Sequence, residues 1–263
     1  MMIYFLGGGN MATAIIAGMR SKGSDDICVV ERNLEKQQAL AEKYAVKTTD
    51  RLPEISADDV LVLAVKPKDM QATLQEVNTQ GALVLSVAAG LTVATLSRYL
   101  NGATRIIRIM PNTPAQVGLG VAGMYAAEHI SDADKQRAEN IMRSSGEVVW
   151  LPEENDLHRI TGISGSGPAY VFYFLAALQQ AAEEQGFDAE TAQRLSLATF
   201  KGAVALAEVS REDFHQLQQN VTSKGGTTFE AIAVFERGNI NSTIREGVRA
   251  CVARSQEISR EFD

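Results

Sequence analysis

Two glycine-rich turns, each running into a helical pattern, are the stretches of this chain best suited to chemistry. The first, FLGGGNMATAI, carries Gly7, Gly8, Gly9, Asn10, Met11 and Ala12. The second, VTSKGGTTFEAI, carries Ser223, Gly225, Gly226, Thr227 and Thr228. Glycine loses more backbone freedom on folding than any other residue, so paired glycines belong where a chain bends tightly or a ligand comes close. Gly7, Gly9 and Ala12 fit G-x-G-x-x-G/A straight after an apolar run. In that setting the first glycine makes the turn and the second lets a pyrophosphate reach the backbone. The small third residue lets helix and strand pack closely. The helix start adds free N–H groups and partial positive charge. Dinucleotide binding is the expectation, with a structural turn as the plainer alternative. The second turn offers successive N–H groups and three hydroxyls, those of Ser223, Thr227 and Thr228, an arrangement suited to a carboxylate. Its plainer alternative is a threonine-capped helix start.

Further candidates lie at the ends of apolar runs. Glu31 stands 22 residues beyond Gly9, near the offset of the acid that reads a ribose in NAD enzymes. Arg32 follows at once and could hold a 2′-phosphate, so the two neighbours point to different cofactors. AVKP (Ala64, Val65, Lys66, Pro67), SVAAG (with Ala88) and RIMPNTPA (with Asn112) each close a strand-like run. Strand ends near a topological switch point face a cofactor; ordinary strand-ending turns are the alternative. In GISGSGPAYVFYF the spacing of Gly162, Gly165 and Gly167 resembles β-hydroxyacid dehydrogenases, which follow it with a helical lysine. Val171 stands at that position, and no lysine occurs between residues 168 and 184. A ketone or alcohol needs a proton donor or acceptor for its oxygen. A protonated imine needs orientation and one hydrogen-bonding group.

The elements that must position these residues follow from periodicity. Apolar runs at 3–6, 27–31, 60–65, 83–87, 106–109, 120–125 and 147–150 alternate with helical patterns at 11–22, 34–44, 68–77, 92–100 and 132–144. Alternating βα units imply an N-terminal Rossmann-type, doubly wound, mainly parallel sheet. From about residue 157 only helical patterns follow, at 168–184, 189–209, 212–219, 228–237 and 241–262. The expected division is a dinucleotide-binding domain over 1–156 and an all-helical substrate-binding and dimerisation domain over 157–263.

Composition narrows the function class. The chain has 263 residues, a net charge of −7 and a pI near 5.2, with no basic run, which argues against nucleic acid as a partner. Cys28 and Cys251 stand alone and His129, His158 and His215 are scattered, so no metal site is expected. The start lacks the basic n-region of a signal peptide and no long uncharged apolar stretch occurs. The expectation is a cytoplasmic protein with no membrane partner.

FLGGGNMATAI, AVKP, LSVAAG, IIRIMPNTPA, GISGSGPAYVF and VTSKGGTTFEAI, in this order, resemble the pyrroline-5-carboxylate reductases. The resemblance spans residues 5 to 232 and its last three motifs are specific as a set. It implies an oxidoreductase that passes hydride from NADPH, with NADH possible, to the cyclic imine 1-pyrroline-5-carboxylate, giving L-proline in the last step of proline biosynthesis. It also implies a Rossmann-type domain followed by a helical domain forming an intertwined homodimer or larger homo-oligomer. By position, Gly7 to Ala12 would bind pyrophosphate, and Arg32 and Asn33 would lie near the adenosine ribose phosphate. Ala64, Val65, Lys66, Pro67 and Ala88 would line ribose and nicotinamide, with Asn112 on the same edge. Ser223, Gly225, Gly226 and Thr227 would hold the substrate carboxylate and Thr228 would hydrogen-bond the imine nitrogen. Two residues depart from the family pattern: Lys224 stands where proline is usual, and Glu31 places an acid beside the expected phosphate site. A hydroxyacid dehydrogenase and a non-catalytic cofactor sensor are the competing readings.

Overall fold

The structure is a computed structural model of the chain, described over residues 1–24 and 26–262. Two compact units divide it: Met1–Pro168 with Ala250–Asp263, and Ala169–Arg249. The first unit begins with β1 (Ile3–Leu6), α1 (Asn10–Ser21), β2 (Ile27–Val30), α2 (Leu34–Tyr44), β3 (Lys47–Thr49), β4 (Val60–Leu63) and α3 (Pro67–Leu74). It continues with β5 (Leu83–Ser86), α4 (Val93–Tyr99), β6 (Ile106–Met110), β7 (Gly120–Ala126), α5 (Asp132–Met142), β8 (Gly146–Trp150) and α6 (Asp156–Ile160). The strands form one sheet in the order β3-β2-β1-β4-β5-β6-β7-β8. Every neighbouring pair is parallel except β6 and β7.

Strands covered on both faces read as unbroken apolar runs, not as alternations. That is why ICVV of β2, VLVL of β4 and LVLS of β5 are buried at every position. Their alternate side chains feed two separate cores. Phe5, Val29, Val62 and Leu85 meet Ile15, Ile16 and Met19 of α1 and Ala138 and Ile141 of α5 on one face. Leu6, Leu61, Leu63 and Val84 meet Met70 and Leu74 of α3 and Leu96 of α4 on the other. Helices on both faces of a mostly parallel sheet make the doubly wound class.

The strands expected over 27–31, 60–65 and 83–87 stop at Val30, Leu63 and Ser86. The residues dropped, among them Glu31, Ala64 and Val65, form the loops at the carboxyl ends of the strands. β3 was not expected; KTT is short, polar and partly exposed at the edge of the sheet, so it carries little apolar signal. The helix expected at 68–77 runs from Pro67 to Leu74, with proline in its first turn, where its missing N–H is no loss.

The second unit holds most of α7 (Gly167–Glu184), then α8 (Ala189–Val209), α9 (Phe214–Asn220), α10 (Thr227–Arg237) and the first part of α11 (Ile240–Arg260). Its surface is unusually apolar. None of the residues of α7 or α10 is buried, and α8 buries only Ala192 and Ser196. Tyr173 is 74% exposed, Val209 81% and Leu206 57%. Large contiguous apolar surface marks an interaction face. Among the described residues no helix is long and apolar enough to cross a membrane.

Candidate active site

The glycine loop begins where β1 ends. Gly7 donates its N–H to the Val30 carbonyl at 2.9 Å and has φ +102°, a region closed to most L residues. A Cβ there would stand 3.0 Å from Val65 Cγ1 and 3.1 Å from the Ala64 carbonyl oxygen, so the β1 and β4 loops already touch. Gly9 differs: its backbone is extended (φ −75°, ψ 179°), and a Cβ there would meet nothing within 4 Å. It is the N-cap of α1, with no side-chain cap and no acid in the first turn. The N–H groups of Asn10, Met11 and Ala12 find no acceptor among the described residues, while Thr13 starts the helical ladder onto the Gly9 carbonyl at 2.9 Å. Ala12 is fully buried against the sheet, as its small size requires.

Five other helices close their starts with side chains, whereas α3, after Lys66, has no side-chain cap. Asn33, Thr92, Ser131, Asp188 and Asp213 cap α2, α4, α5, α8 and α9 with side-chain oxygens. The first amides of α6 bond to the carbonyls of Glu153, Glu154 and Asn155. The start of α10 repeats the open pattern of α1. Gly226 is its N-cap, in extended backbone and again without a side-chain cap. Gly226 donates to the Ser223 carbonyl at 2.9 Å, closing a turn in which Gly225 takes φ +71°. The N–H groups of Thr227, Thr228 and Phe229 have no acceptor among the described residues. A Cβ at Gly226 would stand 2.5 Å from Ser223 Oγ, so that hydroxyl lies against the N-cap of α10. Both Thr227 and Thr228 are exposed, as is Lys224. Each uncapped start presents N–H donors and the positive end of a helix dipole, the requirement for an anion.

The remaining candidates lie in the first unit. Glu31 sits just past β2 with its carboxylate engaged: Oε2 accepts from Gly8 N–H at 3.3 Å and Oε1 from Asn33 N–H at 3.1 Å. Asn33 Oδ1 accepts from Lys36 N–H at 2.9 Å, capping α2. Arg32 is exposed. Lys66 is the residue before α3 and is exposed, while Ala88 is buried beyond β5. Asn112 is buried with both ends of its amide in use: Nδ2 donates to the Ser164 carbonyl at 3.0 Å and Oδ1 accepts from Val121 N–H at 2.8 Å. Thus Gly7 to Ala12, Glu31, Arg32, Asn33, Ala64 to Pro67, Ala88 and Asn112 belong to the first unit, and Ser223 to Thr228 to the second.

One polar cluster was not expected. Arg108 is buried in β6 and its Nη1 lies 2.8 Å from Glu154 Oε1, which also accepts from Val93 N–H at 2.7 Å. Beside it, the buried His158 places Nδ1 2.9 Å from Ser255 Oγ. Burial, then the positive charges of Arg108 and Arg260, push His158 below its ordinary pKa, with Glu154 opposing them. Both side chains border a small cavity next to Ala88, Gly90 and Met110. A charged residue inside the apolar run RIIRIM was the one available signal of this cluster.

Comparisons with known proteins agree on one family. A family model for pyrroline-5-carboxylate reductase dimerisation matches residues 154–258, and one for NADP oxidoreductase, coenzyme F420-dependent, matches residues 2–90. A pyrroline-5-carboxylate reductase of Pasteurella multocida is 38% identical, with 99% of this chain and 98% of the relative covered. One from Vibrio alginolyticus is 35% identical with the same coverage. Among solved structures, a Coxiella burnetii pyrroline-5-carboxylate reductase gives a TM-score of 0.91 at 40% identity, covering 98% of each chain. The Plasmodium falciparum enzyme with NADP bound gives 0.84 at 26% identity, again covering 98% of each chain. With full-length likeness at these identities, the chain belongs to the pyrroline-5-carboxylate reductase family.

Proposed function

We propose that this chain reduces the cyclic imine 1-pyrroline-5-carboxylate to L-proline, the last step of proline biosynthesis. The observation that carries the reading is the pair of glycine-started helices, α1 and α10, whose first N–H groups are open while five other helices carry side-chain caps. A dinucleotide pyrophosphate fits the first, where Gly9 leaves open space, and a small carboxylate fits the second. When bound, the reduced nicotinamide cofactor, NADPH or NADH, supplies the hydride that adds to the imine carbon.

The side chains divide the work. Gly7 to Ala12 hold the pyrophosphate, and Arg32 and Asn33 lie toward the adenosine ribose. Ala64, Val65, Lys66, Pro67 and Ala88 border ribose and nicotinamide; Asn112 braces that edge through its two internal hydrogen bonds. Ser223, Gly225, Gly226 and Thr227 hold the substrate carboxylate. The Thr228 hydroxyl hydrogen-bonds the imine nitrogen and fixes the plane of the ring. Because an imine nitrogen is basic enough to carry a proton near neutral pH, Val171 in place of a catalytic lysine is no obstacle. Residues 1–156 form the dinucleotide-binding domain and 157–263 the helical substrate-binding and dimerisation domain. The exposed apolar faces of α7, α8 and α10 pair with a second copy of the chain, giving a homodimer or larger homo-oligomer. The site of action is the cytoplasm.

The test is direct. Purified protein with pyrroline-5-carboxylate should oxidise a reduced nicotinamide cofactor, followed by its absorbance, with NADPH and NADH assayed separately. No oxidation from folded protein that still binds a dinucleotide would replace this reading with a cofactor sensor.

A further inference from the structure

We propose that Ile258 is a positioning residue for hydride transfer: with Phe262 it holds the loop after β5 in the shape that the nicotinamide requires, an assignment that rests on the proposed function above. Residues 87–91 of that loop, VAAGL, carry no polar side chain that could tie them down. Hydrogen bonds fix the two ends. Val87 N–H donates to the Leu63 carbonyl at 3.1 Å, and Val93 N–H donates to Glu154 Oε1 at 2.7 Å. Between them Gly90 is buried with φ +82°, and a Cβ built on it would stand 3.0 Å from Ile258 Cγ2 and 3.7 Å from Phe262 Cε2. Phe262 also packs on the core that holds Ala88, Leu91 and Leu96. The covering segment is itself anchored on either side of the contact. Ser255 Oγ lies 2.9 Å from His158 Nδ1, and Arg98 Nη2 donates to the Phe262 carbonyl at 3.0 Å. All these residues belong to the first unit.

Gly90 stands two residues beyond Ala88, which borders the nicotinamide in the proposed site. Glycine has no side chain to brace it and a wide choice of backbone conformations. What narrows the choice here is contact with a neighbour from far along the chain. Ile258 suits that task, because a β-branched side chain has one strongly preferred χ1 in a helix and so presents Cγ2 as a fixed stop. Van der Waals attraction fades within a fraction of an ångström. Removing Cγ2 therefore opens a gap behind Gly90 into which the loop relaxes, and surroundings close such gaps only in part. Hydride transfer is sensitive to such a shift: a misplacement of about 1 Å costs about 100-fold in rate, and a fraction of that about tenfold. Dinucleotide affinity rests on the pyrophosphate and adenosine contacts of the loops after β1 and β2, which Ile258 does not support. Loss of the stop should thus appear in turnover and not in cofactor binding.

The test compares Ile258→Ala, which removes Cγ2, with Ile258→Val, which keeps it. Three quantities are read: kcat and KM with pyrroline-5-carboxylate, the calorimetric Kd for NADP+, and the rate ratio between NADPH and NADPH deuterated at the transferred position. Ile258→Ala should lower kcat about tenfold, hold the Kd within about twofold of the parent's and show an isotope effect at least as large as the parent's. Ile258→Val should recover most of the rate. An unchanged kcat in Ile258→Ala, a Kd that worsens by the same factor as kcat, a smaller isotope effect, or a valine variant no faster than the alanine one overturns the assignment and leaves the reductase reading intact. A parent that oxidises neither NADPH nor NADH overturns the proposed function and this assignment with it. If Ile258→Ala does not fold, Phe262→Ala and Phe262→Leu carry the same comparison and are read in the same way.

Discussion

Replacing Gly9 by alanine should separate folding from cofactor binding at one atom. Gly9 has φ −75° and ψ 179°, backbone that any residue adopts, and an added Cβ would meet nothing within 4 Å. Alanine at a compatible glycine position stabilises by roughly 0.4–1 kcal/mol, because the unfolded chain has less freedom to lose. In a chain of this size 1 kcal/mol moves Tm by about 2–4 °C, so Gly9→Ala should melt about 1–4 °C higher than the parent. In the proposed binding mode the same methyl stands where a pyrophosphate approaches the open N–H groups of Asn10, Met11 and Ala12. Losing one charge-assisted hydrogen bond costs about 1.5–3 kcal/mol. That is a Kd for NAD+ or NADP+ raised about 10- to 100-fold. Gly7→Ala is the control: φ +102° and a Cβ 3.0 Å from Val65 Cγ1 predict a lower Tm, with about 1–2 kcal/mol lost to handedness alone. Scanning and titration calorimetry on the three proteins read both quantities. Binding by Gly9→Ala as tight as the parent's would place the pyrophosphate away from Gly9, and melting more than about 5 °C lower would show that the position does not tolerate a Cβ.

Three further outcomes are expected. Thr228→Ala should lower kcat/KM for pyrroline-5-carboxylate by roughly one to three powers of ten, as for loss of one preorganised hydrogen-bonding group, with dinucleotide Kd nearly unchanged; an unaltered rate removes Thr228 from the mechanism. Arg32→Ala should raise the KM for NADPH far more than that for NADH, and equal effects on both would show that Arg32 does not meet the 2′-phosphate. His158 is held below its ordinary pKa in the folded chain, so below about pH 6.5 the unfolded chain takes up a proton that the folded chain resists. Stability is then full above that pH and falls as pH drops through the folded value. His158→Asn, compared with the parent by Tm at pH 7.5 and 5.5, should flatten the decline; identical declines would place its source in other groups.

Much of the architecture was written in local pattern. Runs such as VLVL and LVLS are apolar at every position because both faces of a central parallel strand are covered, so they announce buried strands without tertiary help. The glycine spacing of the first loop and the Ser-Lys-Gly-Gly-Thr-Thr step are local as well, since backbone conformation and open helix ends depend on immediate neighbours. Local pattern could not show that Glu31 is pinned by Gly8, because that contact joins residues from two adjacent parallel strands' loops, 23 positions apart in the chain. The same holds for Arg108, whose charge in an apolar strand makes sense only once Glu154 arrives 46 residues later in the chain. The sequence places Asn112 in a rigid loop on the cofactor edge; only folding shows that both ends of its amide go to Ser164 and Val121. Sequence fixes where backbone donors are left open, because that is decided within one turn of a helix; only tertiary structure decides which side chains are free to meet a ligand, because their competing partners come from distant parts of the chain.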